Sequence, residues 1–323
     1  MPHLLVAGKL HPSGLDLLRS APVTFDYVEE ISEPSYQTFL PKADALVIRT
    51  QPLTAASIAK APALKIVSRH GVGYDAVDVA ALNARGIPLC IVGDVNSSGV
   101  AEHAMMLILT ATHRLIAADR ATRSGDWAWR NGLQTREVAG KRLLIVGFGR
   151  IGQKLAALAQ AFGMEVHAHD PYIPESAWPS GATRAPDLAA ALAGADAVSL
   201  HLPRADQAIL GSAELALMKP TAVVVNTARG GLVDEVALAE ALRAGRLGGA
   251  GIEVFNAEPP GKDHPLFGLD QAVLTPHNAA PTVECAERRA LASVQNVLDF
   301  FAGTLDPALI VNRAAVGLKE LAK

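Results

Sequence analysis

The sequence predicts an α/β protein with two doubly wound parallel sheets, one domain inserted in the other. Short apolar runs alternate with amphipathic helical stretches almost throughout the 323 residues, as parallel strands joined by crossover helices do. A glycine-rich turn at 147–152 lies between such a run and a helical pattern, and it follows an earlier set of strands. The length suits two domains, each able to bury its own core.

The first set of strands is read at 4–7, 23–26, 45–48, 65–68 and 88–90, with helical patterns such as 13–20, 54–59 and 78–85 between them. No phosphate fingerprint accompanies them, so they form a separate domain, expected to be flavodoxin-like. A boundary near 95–98 precedes the longest apolar segment, 100–118, where Glu102, His103, His113 and Arg114 mark a buried helix and not a membrane span. The run 143–146 then feeds Gly147-Phe148-Gly149-Arg150-Ile151-Gly152, a G-x-G-x-x-G in strand–turn–helix context. Gly147 allows the tight turn, Gly149 allows backbone N–H groups to approach a pyrophosphate, and Gly152 allows helix and strand to pack closely. The helix N-terminus supplies unpaired donors and partial positive charge to the anion. The next run, 165–169, ends at Asp170, eighteen residues past Gly152. A carboxylate there accepts from both ribose hydroxyls and repels a 2′-phosphate, which predicts NAD as the cofactor.

Further strands at 197–200, 222–226, 249–253 and 272–275 complete six, the number of a Rossmann domain. A helical run at 283–302 and a tail to Lys323 follow, and the tail is expected to return to the first domain. The expected division is therefore 1–98 plus 296–323 for substrate and 99–295 for NAD.

Half of the residues are hydrophobic and 19% are charged, against about 25% in an average soluble domain. Formal net charge is −3 with Lys and Arg dispersed, so there is no footprint for nucleic acid. Cys90 and Cys285 stand far apart without metal-ligand spacing. No metal site is expected, and buried free thiols in a reducing cytoplasm are. The N-terminal MPHLLVAGKL has too short an apolar run and no basic flank for a signal peptide. A soluble cytoplasmic protein without membrane partners is the expectation.

An NAD site implies hydride transfer, and the hydroxyl proton must also move, for which histidine is the usual carrier. Ligands of such sheets sit beyond the carboxyl ends of strands. Three successive strands there end in polar residues of suitable type: Arg229 in NTARGG, Glu258 in AEPP and His277 in TPHNAAPT. A guanidinium binds a carboxylate bidentately and polarises a neighbouring carbonyl. A carboxylate beside imidazole orients the ring and favours its charged form. Each residue alone is more often structural, and it is the succession that points to a site.

The motifs HGVGYDAVD (70–78), NSSGVAEH (96–103), VGFGRIG, HDP (169–171), LHLP (200–203), NTARGG, AEPP and TPHNAA occur in one order along the chain. In this the sequence resembles the D-isomer-specific 2-hydroxyacid dehydrogenases over essentially its full length. The pattern is that of the phosphoglycerate dehydrogenase and hydroxypyruvate–glyoxylate reductase members, in a short form without a regulatory domain. The resemblance implies interconversion of a 2-keto acid and a D-2-hydroxy acid with NAD. Arg229 would bind the substrate carboxylate and carbonyl, with His277 as acid/base and Glu258 as its partner. Backbone N–H groups of Val72 and Gly73 would hold the carboxylate, and Asn96 would lie near the substrate. Arg150 and Ile151 would present N–H groups to the pyrophosphate, Asp170 would hold the ribose, and the Thr227 carbonyl would meet the nicotinamide amide.

Two positions depart from the family pattern. Glu253, in GIEVF, stands where Asp is usual and accepts from the carboxamide, and Arg204 follows LHLP where an apolar residue is common. Arg49 and Arg69 resemble positions facing the substrate phosphate in 3-phosphoglycerate dehydrogenases, so D-3-phosphoglycerate dehydrogenase activity is one alternative. A non-catalytic NAD(H)-sensing protein, like corepressors built on this fold, is the other, and its recognition tails are not expected here. Trp127 and Trp129 mark an arm that contributes to a homodimer in the family, so a homodimer is expected. His103, on the apolar helix, reads as a structural hydrogen-bonder, and His167 and His169 as strand residues without metal.

Overall fold

A computed structural model describes residues 1–317. The chain divides into two compact units, one formed by Met1–Asn96 with the segment from Pro281 onward, the other by Ser97–Ala280.

The first unit is built on β1 (His3–Ala7), β2 (Thr24–Val28), β3 (Ala45–Ile48), β4 (Ile66–Arg69) and β5 (Leu89–Cys90). They pair in parallel in the order β2-β1-β3-β4-β5, the flavodoxin-like order, which reverses between β1 and β3. The runs LLVA and ALVI are apolar at every position because helices cover both faces. One face meets Tyr36, Leu40, Ile58 and Leu82. The other meets Ala290, Val294 and Val297, the i, i+4, i+7 stripe of the Val283–Ala302 helix.

That helix corrects the expected boundary. The division falls at 280/281 and not at 295/296, because the whole apolar stripe packs on the first sheet. Ser68 Oγ donates to the Ser293 carbonyl at 2.8 Å, and His70 Nδ1 lies 3.0 Å from Ser293 Oγ. The tail returns as expected. Ile310 bridges Cys90 in antiparallel sense, and Asn312 Oδ1 accepts from the Leu89 N–H at 2.8 Å. The last six positions of the tail, 318–323, lie outside the described residues.

The second unit carries β6 (Arg142–Val146), β7 (Glu165–His169), β8 (Thr183–Arg184), β9 (Ala197–Leu200), β10 (Val223–Asn226), β11 (Gly249–Ile252) and β12 (Ala272–Leu274). All pairs are parallel, in the order β12-β11-β10-β9-β6-β7-β8. The sheet has seven strands where six are expected, since β8 is a two-residue edge with no apolar run to announce it. The apolar segment forms the Ser97–Thr112 helix and then breaks. Arg114 there takes a left-handed conformation (φ 54°), and a second helix, Leu115–Arg123, begins. Both cysteines are free and buried. Among the described residues no helix is long and apolar enough to cross a membrane, and no group of His, Cys, Asp or Glu could hold a metal ion.

His70 gives the fold a pH dependence. It is 3% exposed, and burial, with Arg289, Arg49 and Arg69 near it, pushes its pKa from 6.5 down to about 3. Between those values the unfolded chain binds a proton that the folded chain refuses, so stability is present above pH 6.5 and falls as the pH drops. From pH 8 to pH 5 the loss is about 2 kcal/mol. Urea unfolding at both pH values measures it, and His70→Gln should remove that part of the slope.

Candidate active site

The glycine turn leaves β6 at Gly147 (φ 93°). A Cβ there would lie 2.5 Å from the His201 carbonyl oxygen, and one on Gly152 would lie 2.5 Å from the Gly147 carbonyl oxygen. A Cβ on Gly149 would meet nothing within 4 Å. The first glycine thus lets the turn pass against the segment after β9, the third closes the helix against the turn itself, and the second leaves space open. The Arg150–Ala161 helix starts on Gly149, so the N–H groups of Arg150 and Ile151 fall in its first turn, where no intrahelical acceptor exists. Asp170 accepts from the Phe148 N–H at 2.9 Å and the Tyr172 N–H at 3.1 Å. A carboxylate has about four acceptor positions, so capacity for two hydroxyls remains. At the ends of β10 and β9, Thr227 Oγ1 and His201 Nδ1 are buried without a partner. Open space over a helix N-terminus, a carboxylate with spare acceptors and orphaned polar atoms at the strand ends fit a dinucleotide.

At the same edge Arg229, Glu258 and His277 follow β10, β11 and β12. His277 Nδ1 lies 2.7 Å from Glu258 Oε2, and Glu258 Oε1 accepts from the Phe255 N–H at 3.0 Å. His277 is in the left-handed region (φ 50°), a conformation that non-glycine residues rarely adopt and that concentrates at functional sites. Its side chain is 51% exposed and that of Glu258 38%.

Asn226 and Gly230 shape the turn that carries Arg229. Asn226, buried at the end of β10, donates from Nδ2 to the Arg229 carbonyl at 2.8 Å and accepts on Oδ1 from the Ala228 N–H at 3.0 Å. Gly230 abuts the next loop so closely that a Cβ would lie 1.9 Å from the Phe255 carbonyl oxygen.

Glu253 is 1% exposed and accepts from the Ala279 N–H at 2.8 Å. Burial pushes its carboxyl pKa up and the charge of Glu258 adds to this, while the Ala279 N–H, His277 and Arg229 oppose it. Glu253 therefore lies within the fields of Glu258, His277 and Arg229.

Residues 105–279 match the family model described as D-isomer specific 2-hydroxyacid dehydrogenase, NAD binding domain. The chain is 35% identical to the glyoxylate reductase of Aeropyrum pernix over 99% of its own length and 98% of that protein. It belongs to the D-isomer specific 2-hydroxyacid dehydrogenase family. To the D-3-phosphoglycerate dehydrogenase of Mycobacterium leprae it is 38% identical over its whole length, which spans 61% of that relative. Among solved structures it resembles the TT0316 protein of Thermus thermophilus, with a TM-score of 0.87 and 34% identity over 94% of this chain and 98% of that one. The second unit is thus the family's NAD binding domain.

Within this dehydrogenase framework the structure gathers Gly147, Gly149, Arg150, Ile151, Gly152 and Asp170 at one strand end, and Arg229, Glu253, Glu258 and His277 along three others. Val72, Gly73 and Asn96 are partly buried residues of the first unit, Val72 and Gly73 just beyond β4. The same unit collects Arg49, Arg69 and Arg289 around buried His70. Arg289 Nε and Gln51 Oε1 are buried there without partners. His103 bonds Thr275 Oγ1 at 3.0 Å. Arg204 is exposed, and nothing in the structure explains it.

Sequence reasoning passes over Asn226, Gln51 and Arg289. Asn226 reads as a strand end and Arg289 as a charge on an amphipathic helix. The buried Gln in IRTQPLT, two residues past Arg49, is the one local hint.

Gly230→Ala tests the packing of the loops. A methyl at 1.9 Å from backbone oxygen cannot be relieved by a side-chain shift, so the variant should lose about 3 kcal/mol or more in urea unfolding.

Proposed function

We propose that this protein is an NAD-dependent oxidoreductase that interconverts a 2-keto acid and a D-2-hydroxy acid. The observation that carries the reading is the 2.7 Å pairing of His277 Nδ1 with Glu258 Oε2, in the same unit as Arg229 and an NAD binding domain. Bound NADH supplies the hydride. Arg229 binds the substrate carboxylate and polarises the keto oxygen through its guanidinium. His277 holds one ring proton on Nδ1 toward Glu258 and presents Nε2 to the keto oxygen, to which it donates on reduction and from which it accepts on oxidation. Glu258 fixes the ring and offsets the charge of the imidazolium. Asp170 binds the adenosine ribose and disfavours NADP. Arg150 and Ile151 bind the pyrophosphate through their N–H groups, and the Thr227 carbonyl and Glu253 hold the carboxamide. In the first unit, the backbone N–H groups of Val72 and Gly73, with Asn96, serve as substrate contacts.

A second reading, D-3-phosphoglycerate dehydrogenase activity, is favoured by the first unit's arginines. Arg49, Arg69 and Arg289 lie close enough to depress His70 together, and Arg289 Nε is buried with no partner. An anionic group on the substrate would relieve that repulsion.

Loss of NADH absorbance against glyoxylate, hydroxypyruvate, pyruvate, phenylpyruvate and 3-phosphohydroxypyruvate, with NADPH in parallel, tests both readings. NADH should be preferred, and His277→Ala should lower kcat by about 10²–10⁴-fold while still binding NADH. Unchanged turnover in His277→Ala would overturn the acid/base assignment. Preference for 3-phosphohydroxypyruvate that disappears in Arg289→Met would support the second reading. Intact NADH binding without turnover would favour a sensor.

We also infer a cytoplasmic homodimer. The free buried cysteines suit a reducing compartment. Leu115, Ile116, Trp127 and Leu133, 54%, 46%, 65% and 87% exposed, put large apolar side chains on one arm of the second unit. Sedimentation should give a dimer that Trp127→Glu weakens, and a monomeric wild type would refute this.

A further inference from the structure

A largely buried hydrogen-bonded couple outside the catalytic trio holds the loop that carries Glu258. Glu235 opens the Glu235–Arg243 helix, and its carboxylate reaches both ends of the neighbouring loop. Oε1 accepts from the Asn256 N–H at 2.9 Å, and Oε2 lies 3.0 Å from His264 Nε2. The two side chains are 11% and 8% exposed. The Leu266 N–H points at His264 Nδ1, at 3.4 Å. Nδ1 is thereby the acceptor, and the ring hydrogen lies on Nε2, donated to Glu235. The imidazole is also clasped by aromatic rings, edge-on to Phe255 at 5.2 Å and tilted to Phe267 at 5.2 Å.

Between the two held residues lies Glu258, and next to them Phe255. Phe255 donates its N–H to Glu258, and its carbonyl lies against Gly230, the residue after Arg229. One carboxylate thus ties down residue 256 directly and residue 264 through its ring, and Glu258 is carried between them. Glu258 itself is exposed on the loop, where it meets the Phe255 N–H and the His277 ring. We propose that Glu235 and His264 are positioning residues, which hold Glu258 at hydrogen-bond distance from His277 and set the Glu258 loop against the Arg229 turn.

The inference rests on the dehydrogenase reading for its kinetic test, and a double-mutant cycle in the full-length protein separates it from a merely structural role. His264→Ala should lower kcat for the best keto acid about tenfold, with KM and the Kd for NADH changed less than about threefold. In a Glu258→Gln background the same substitution should cost less than about twofold, because it acts through the carboxylate already removed. His264→Gln, which can still donate to Glu235, should recover most of the rate, and Glu235→Gln should behave like His264→Ala. Equal losses in both backgrounds would overturn the proposal.

A readout free of turnover is the ¹⁵N imidazole spectrum of His277. His264→Ala, or Glu235→Gln if the alanine variant does not fold, should move its Nδ1 shift in the direction that Glu258→Gln does. An unmoved Nδ1 shift would overturn the positioning role even if no keto acid were turned over. An inactive wild type with the expected shifts would overturn only the dehydrogenase reading.

Discussion

Parallel strands all end at the same edge of their sheet, and β10, β11 and β12 are immediate neighbours in the second sheet. The loops that follow them are therefore adjacent whatever their sequences. Arg229, Glu258 and His277 each need only sit a few residues past a strand to be brought to one place. The strands cannot slip, because VVVN and GAGI are buried at every position and a shift of one residue would disrupt the packing of both faces. The backbone continues the order past the strand ends: Glu253 N–H donates to the Asn226 carbonyl at 3.1 Å, and His277 N–H to the Glu253 carbonyl at 3.1 Å.

On that frame two carboxylates acquire different surroundings. Glu258 stands exposed beside an imidazole, and Glu253 is enclosed and bonded to the Ala279 N–H two residues past His277. Environments that treat neighbouring acids differently are how one site assigns them separate tasks. The bond from the Ala279 N–H to Glu253 ties the loop carrying His277 to the end of β11.

Much of the site is legible because its requirements are local. Gly152 is excluded from bearing a Cβ by the Gly147 carbonyl within the same turn, and Asp170 follows at the end of the adjoining strand; the crowding of Gly147 comes from His201, far along the chain beyond β9. Arg229, Glu258 and His277 announce themselves by type and by place after apolar runs. What stays hidden depends on where a side chain turns, or on partners distant in sequence. Asn226 looks like the last residue of a strand until its side chain is seen closing the Arg229 turn. Glu235 looks like an ordinary acidic first residue of a helix, and His264, twenty-nine positions later, like a loop histidine. No spacing rule joins them.

The same division holds for the fold. Hydrophobic runs of strand length and a glycine turn between strand and helix determine, without further information, two parallel sheets and a dinucleotide site, because backbone sterics and burial on both faces operate over a few residues. The tertiary structure alone decided that the Val283–Ala302 helix belongs to the first sheet, that the second sheet gains the edge Thr183–Arg184, and that His70 is enclosed among arginines. An apolar stripe states that it must be covered and not by what, since the hydrophobic effect has no direction. The choice of partner belongs to the assembled core.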